Sequence, residues 1–132
     1  MRILSITAQK PHSTGSGVYL TETVCGFKEL GHTQAVIAGV TREDSVKLPE
    51  GVRFYPVYYN SPELPFPVCG MSDEMPYEST RYRYMKPDMV DKFEAAFGST
   101  VLRAVKEFRP DVVICHHLYL LAAIVREKLP DM

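Results

Sequence analysis

The chain lacks most of the features that would commit it to an obvious chemistry. Its three cysteines, Cys25, Cys69 and Cys115, are odd in number and far apart, and no C-x-x-C pair occurs. That pattern excludes a disulfide scaffold and a zinc ribbon and reads as three reduced thiols in a reducing compartment. Charge of one sign is missing too: 15 Lys and Arg face 16 Asp and Glu, mixed along the sequence. Such a balance builds no field that would draw nucleic acid or an acidic membrane. No apolar run approaches the ~20 residues of a membrane span, and the opening "MRILSITAQKP" is too short in its apolar stretch for a signal peptide. These absences predict a cytoplasmic protein that recognises its ligands locally, with neither nucleic acid nor a membrane span among its partners. What remains, 132 residues with 45% apolar and 23% charged, is the composition of one ordinary globular domain.

The pattern of elements points to an α/β fold. "RILSIT" is a short, β-branched apolar run suited to a buried first strand. From Gly17, the residues Leu20, Val24 and Phe27 recur at helical spacing, Ser16 is placed to cap the helix, and Gly31 supplies a left-handed stop. "TQAVIAG" follows as a second strand, completing a strand, helix, strand unit of the kind that makes parallel sheet with a right-handed crossover. "VRFYPVYY" alternates as a third strand, and Pro56 assigns it to an edge. Residues 60–87 carry Pro62, Pro65, Pro67 and Pro76 with Tyr77, Tyr82 and Tyr84 and show no sustained period. They read as a surface excursion bordering a functional region. "PDMVDKFEAAFGSTVLRAVKEFRP" is the longest helix, "DVVIC" a buried fourth strand, and "HHLYLLAAIVREKL" a helix leaving it. The series predicts a Rossmann-like three-layer domain over residues 1–132 with a mainly parallel sheet in the order 3-2-1-4. A sheet of this kind usually continues, so the sequence reads as the truncated front part of a longer protein, with an exposed side along its last strand and helix.

In such a sheet, ligands bind beyond the carboxyl ends of the strands where the strand order reverses, here between the first and fourth. The loops that meet there are "AQKPHSTGSG" and "CHHL". Gly15 and Gly17 allow a tight turn and close approach to the backbone, and with Ser16 they open a helix whose free N–H groups suit a phosphate. The same glycines also serve a plain strand-to-helix turn. A dinucleotide fingerprint is not met, because Leu20 stands where G-x-G-x-x-G needs its third glycine and the second strand ends in "AGV" with no acidic residue. No G-K-[ST] follows to make a P-loop, and no G-x-S-x-G occurs to make a nucleophile elbow. His116 and His117 stand at the end of the fourth strand as candidate catalytic residues. Side-chain alternation predicts that at most one of them reaches the crevice and that Cys115 points away from His116. His12 lies in the glycine loop within reach of a ligand, whereas His32 follows the helix-ending glycine and reads as structural. No third ligand accompanies the histidine pair, so no metal is expected.

Taken as a set, "MRILSIT", "STGSGVYLTETVCGFKELGH", "TQAVIAG" and "RPDVVICHHLYLLAAIVREKL" resemble the N-terminal domain of retaining GT-B glycosyltransferases of group 1. The resemblance spans most of the chain except residues 41–87. It implies transfer of a sugar from a nucleotide-sugar donor to an acceptor small molecule or glycan, without a metal or other cofactor, in a cleft between two Rossmann-like domains. Gly15, Ser16 and Gly17 would meet the donor phosphates and sugar, His116 and His117 would border the cleft, and His12, Tyr82 and Tyr84 would face the acceptor. The nucleotide-gripping C-terminal domain of such enzymes, with its basic pair and paired glutamates, has no counterpart in these residues, so the chain alone is expected to be inactive. Two other readings remain open: a stand-alone module that binds a phosphorylated ligand, and a sugar-nucleotide epimerase of the same fold.

Overall fold

In the computed structural model, which describes residues 1–132, the elements follow one another as β1 (Arg2–Thr7), α1 (Gly15–Glu29), β2 (Thr33–Val40), β3 (Arg53–Tyr58), β4 (Cys69–Gly70), β5 (Thr80–Arg81), α2 (Pro87–Phe108), β6 (Val112–Cys115) and α3 (Leu120–Lys128). A 3₁₀ turn at Tyr82–Tyr84 precedes α2. Four strands form one all-parallel sheet in the order β3-β2-β1-β6, as the sequence predicts. β1 is buried at every position after Arg2 because it has a strand on each edge and a helical layer on each face. Leu4 lies opposite Ala35 of β2 and Val113 of β6. β3 is the edge strand that Pro56 requires, and its burial alternates where that of β2 does not.

The two faces of the sheet carry different amounts of core. On one, Leu20 and Val24 of α1 cover Val36 and Ala38, helped by Leu48, Val52 and Phe54. On the other, Phe93, Phe97, Val101 and Phe108 of α2 pack with Leu121, Ile124 and Val125 of α3 over Leu4, Ile6, Ala35 and Ile37. Helices above and below a parallel sheet make the three-layer arrangement. α1 ends as its sequence suggests, with Gly31 at φ 81°. α2 ends on Arg109, which takes the left-handed conformation at φ 52° although it is not a glycine. No helix is long and apolar enough to cross a membrane.

Three expectations need correction. The helix after the glycine turn starts at Gly15, and its cap is Thr14, whose hydroxyl accepts from the Gly17 amide at 3.2 Å; Ser16 is already inside the first turn. The segment 60–87 is not only a surface excursion: Leu64, Phe66, Val68 and Cys69 are buried in the larger core, and β4 and β5 pair with each other in parallel. In "LPFPV" the apolar residues recur at every second position, and the intervening prolines, which cannot donate to a ladder, hide that period. The third concerns α3, which begins only at Leu120 because His117 adopts a left-handed backbone, φ 80°, that ends the strand before a helix can start.

Candidate functional site

β1 and β6 deliver their carboxyl ends side by side, and the loops leaving them are held by specific contacts. After β1 the chain runs through Gln9 to the start of α1. Ser16 Oγ lies 2.9 Å from Thr14 Oγ1 and donates to Gln9 Oε1 at 3.3 Å, while Gln9, almost wholly buried, donates its amide to Thr7 Oγ1. Hydroxyl and amide side chains thus fix the turn from within, and the backbone amides of Gly15 and Ser16 are left with no acceptor in the protein. Unpaired amides at the start of a helix are donors that point outward with partial positive charge.

The two glycines play different parts. A Cβ on Gly15 would meet no heavy atom within 4 Å, so its side is open to an approaching group. A Cβ on Gly17 would fall 2.7 Å from the Lys10 carbonyl oxygen and 2.8 Å from the His12 amide nitrogen. Gly17 is therefore the place where the preceding loop packs onto the helix, and its role is internal.

From β6, the His116 amide donates to the Ile6 carbonyl at 2.9 Å, extending the β1 ladder by one residue. A cavity of about 360 Å³ opens between β6 and α1, lined at its upper end by Ser16, His116 and His117 and lower down by Tyr19, Thr23 and Phe27. Both histidines line it. The alternation that predicts one in and one out applies only to extended backbone, which His117 has left. Cys115 reaches this cavity and also a second one on the far side of β6, so the two faces are not cleanly divided at that residue.

The His116 ring stands edge-on to Tyr19 with centroids 5.9 Å apart, and its Nε2 is buried without a hydrogen-bond partner. Burial, and secondarily the neighbouring His117, lowers the pKa of His116; burial alone lowers that of His117. Both shifts favour the neutral ring near pH 7, and a neutral imidazole can donate with one nitrogen and accept with the other.

The other sequence candidates lie elsewhere. His12, at φ 70°, is tied by Nε2 to the Lys47 carbonyl at 2.6 Å and does not enter the cavity. Tyr82 is partly buried, its ring 4.5 Å from that of Tyr119 and 6.4 Å from that of Phe93. It borders a separate recess of about 230 Å³ with Asp73, Arg81 and Arg83. Tyr84 is exposed beside the guanidinium groups of Arg81 and Arg83. Through Tyr119, this recess touches the loop that carries the histidines.

Three residues at this end of the sheet were not singled out from the sequence. Gln9 carries no motif. Lys10 and Asp44 form an ion pair at 2.9 Å that straps the glycine loop to the β2–β3 connection, with Lys10 also over the Tyr77 ring at 4.7 Å. Burial pushes the Asp44 carboxyl up, but hydrogen bonds from Lys10 and from the amide and hydroxyl of Thr41 outweigh it and hold Asp44 below the ordinary carboxylate range. No three His, Cys, Asp or Glu side chains gather as a metal site would require. The sequence matches no protein-family model and no curated protein.

Proposed function

We propose that this chain is the acceptor-side domain of a glycosyltransferase of the retaining GT-B kind, and that it works with a separate nucleotide-gripping domain on a nucleotide-sugar donor. One observation carries the reading: unpaired amides at Gly15 and Ser16 stand at the strand-order reversal beside a cavity bordered by two neutral histidines, one with a buried, unpartnered nitrogen. The amides and the Ser16 hydroxyl offer donors to a phosphate oxygen, as helix starts do. His116, with Nε2 free, is placed to hydrogen-bond a sugar hydroxyl or to hold a proton near neutral pH. Tyr82 and Tyr119 offer ring surface for the acceptor on the neighbouring side. Nothing in the 132 residues supplies a grip for the base and ribose of the donor, which the partner domain would provide.

The test is an NMR titration of the chain with UDP-glucose, GDP-mannose and inorganic phosphate. The expected result is weak binding of both nucleotide sugars, with shifts at the Gly15 and Ser16 amides and the His116 ring, and no sugar transfer by the chain alone. Absence of shifts at Gly15 and Ser16 refutes the donor-loop reading. Inorganic phosphate binding as tightly as either nucleotide sugar replaces it with the stand-alone phosphate-binding module.

A further inference from the structure

At the opposite end of the sheet from the candidate site, four cationic residues from three segments meet around one recess. Arg2 begins β1, Arg53 begins β3, Lys106 lies in the last turn of α2, and Arg109 caps that helix; together with Thr33, Phe108 and one carboxylate residue, Glu107, they line a cavity of about 380 Å³. Only Arg2 is in an ion pair, with Asp111 at 3.3 Å. Arg53 reaches the Glu107 carbonyl at 3.5 Å, and neither Lys106 nor Arg109 has a carboxylate partner. A chain of net charge -1 thus gathers around one hollow three cationic residues in no ion pair, Arg53, Lys106 and Arg109, against the single carboxylate of Glu107.

The carboxyl end of α2 accounts for some of this, since a helix C-terminus attracts cations. That attraction is satisfied by Lys106 alone and does not explain Arg2 and Arg53, which arrive from strands. It explains Arg109 least of all. Position 109 has φ 52°, ψ 63°, where glycine is the strain-free choice and other residues are disfavoured. An arginine in a left-handed position that glycine would fit, lining a hollow with three other cationic residues, points to a use for the guanidinium. The partial negative charge of the helix end, about half an elementary charge, is smaller than the excess of full positive charges around it.

We propose that this recess binds a compact group carrying several phosphates, through Arg2, Arg53, Lys106 and Arg109, independently of the site at the other end of the sheet. Guanidinium groups grip phosphate oxygens in pairs and Lys106 adds a point charge, the division of labour common to phosphate sites. The hollow is too small and the rest of the surface too evenly charged for an extended polyanion. The phosphates come either from a soluble compound or from a lipid headgroup.

Titration of the chain with inorganic tripolyphosphate, followed by NMR, is expected to give saturable shifts around Thr33, Arg53, Phe108 and Arg109 that reach half-saturation at lower concentration than any shift at the Gly15 and Ser16 amides. The double variant Arg53→Gln/Arg109→Gln should weaken that binding at least tenfold. Arg109→Gly should raise the urea midpoint of unfolding while weakening binding, a combination a merely structural arginine would not give. Co-sedimentation with phosphatidylcholine vesicles containing a phosphoinositide, and not with phosphatidylcholine alone, assigns the phosphates to a lipid; no sedimentation assigns them to a soluble compound. Shifts spread over all basic surfaces, or equal affinity in the double variant, overturn the proposal.

Discussion

Replacing Gly17 and Gly15 in turn by alanine separates packing from ligand access. At Gly17 the new methyl would lie 2.7 Å from the Lys10 oxygen and 2.8 Å from the His12 nitrogen, both backbone atoms. The loop must then retreat by several tenths of an ångström, against the Thr14 cap and the Lys10–Asp44 pair that hold it. Overpacking of this kind costs about 1–3 kcal/mol. Alanine recovers roughly 0.5–1 kcal/mol through its better helix propensity. The net expectation for Gly17→Ala is a loss of about 1–2 kcal/mol, which a urea slope of about 2 kcal/mol/M turns into a midpoint lowered by roughly half a molar to one molar. At Gly15, where nothing lies within 4 Å, the same change should leave stability equal or slightly raised. Equilibrium urea unfolding of both variants beside the wild type decides it. If Gly17→Ala is as stable as Gly15→Ala, the assignment of Gly17 to loop packing is wrong.

Three further outcomes are expected. Asp44→Asn leaves Lys10 without its partner in a largely buried setting and should cost about 1–2 kcal/mol at pH 7 by thermal or urea unfolding. Because the Asp44 carboxyl is held below its ordinary value of 3.8, its contribution is present above that pH and lost as pH falls through the lower folded value; wild type and variant should therefore converge in strong acid. The His116 and His117 values lie below the ordinary 6.5, so above that pH neither state gains a proton. As pH falls below it, the unfolded chain binds protons first and stability drops; His116→Gln should flatten the drop between pH 6.5 and 5, and an unchanged slope would contradict the burial of this ring. The third concerns Cys69, wholly buried with its thiol pushed up to about 12 by burial. It should resist Ellman's reagent until the protein unfolds, whereas the half-buried Cys25 reacts in the native state.

The order of the sheet was legible because each strand carried its own burial record: "RILSIT" and "TQAVIAG" place apolar residues on both faces, as central strands do, and Pro56 marks an edge. Helix starts were read less well, since Thr14, Ser16 and Gly15 all satisfy the local rules and only the tertiary position of the loop chooses Thr14. The core of the proline-rich stretch was missed because its period of two is written in Leu64, Phe66 and Val68 with prolines between them. At the site, the meeting of the glycine turn with the histidines followed from topology. The left-handed turn at His117, which brings both rings to one cavity, had no signal in "CHHL". Gln9 and the Lys10–Asp44 strap were illegible for the same reason, being contacts between loops far apart in sequence. Gly39 was readable only as part of "IAG"; in the fold it lets the Tyr59 ring pass close enough to bond the Ala8 carbonyl at 3.1 Å.

The pairing of β6 with β1 also sets a timetable. Arg2 and Asp111, which meet beside this pairing, are 109 positions apart, whereas the contact between the chain start and His32 spans only 31. Closing the longer loop costs about 1 kcal/mol more by chain entropy, and β6 repays it through only four residues with a single paired edge. Nucleation therefore favours β1, α1 and β2, and the last strand joins late. The histidines ride on that strand. The rings of the candidate site should be the last groups to gain protection as the protein refolds and the first to lose it when it breathes, so that the cavity exists only once the slowest contact of the chain has closed.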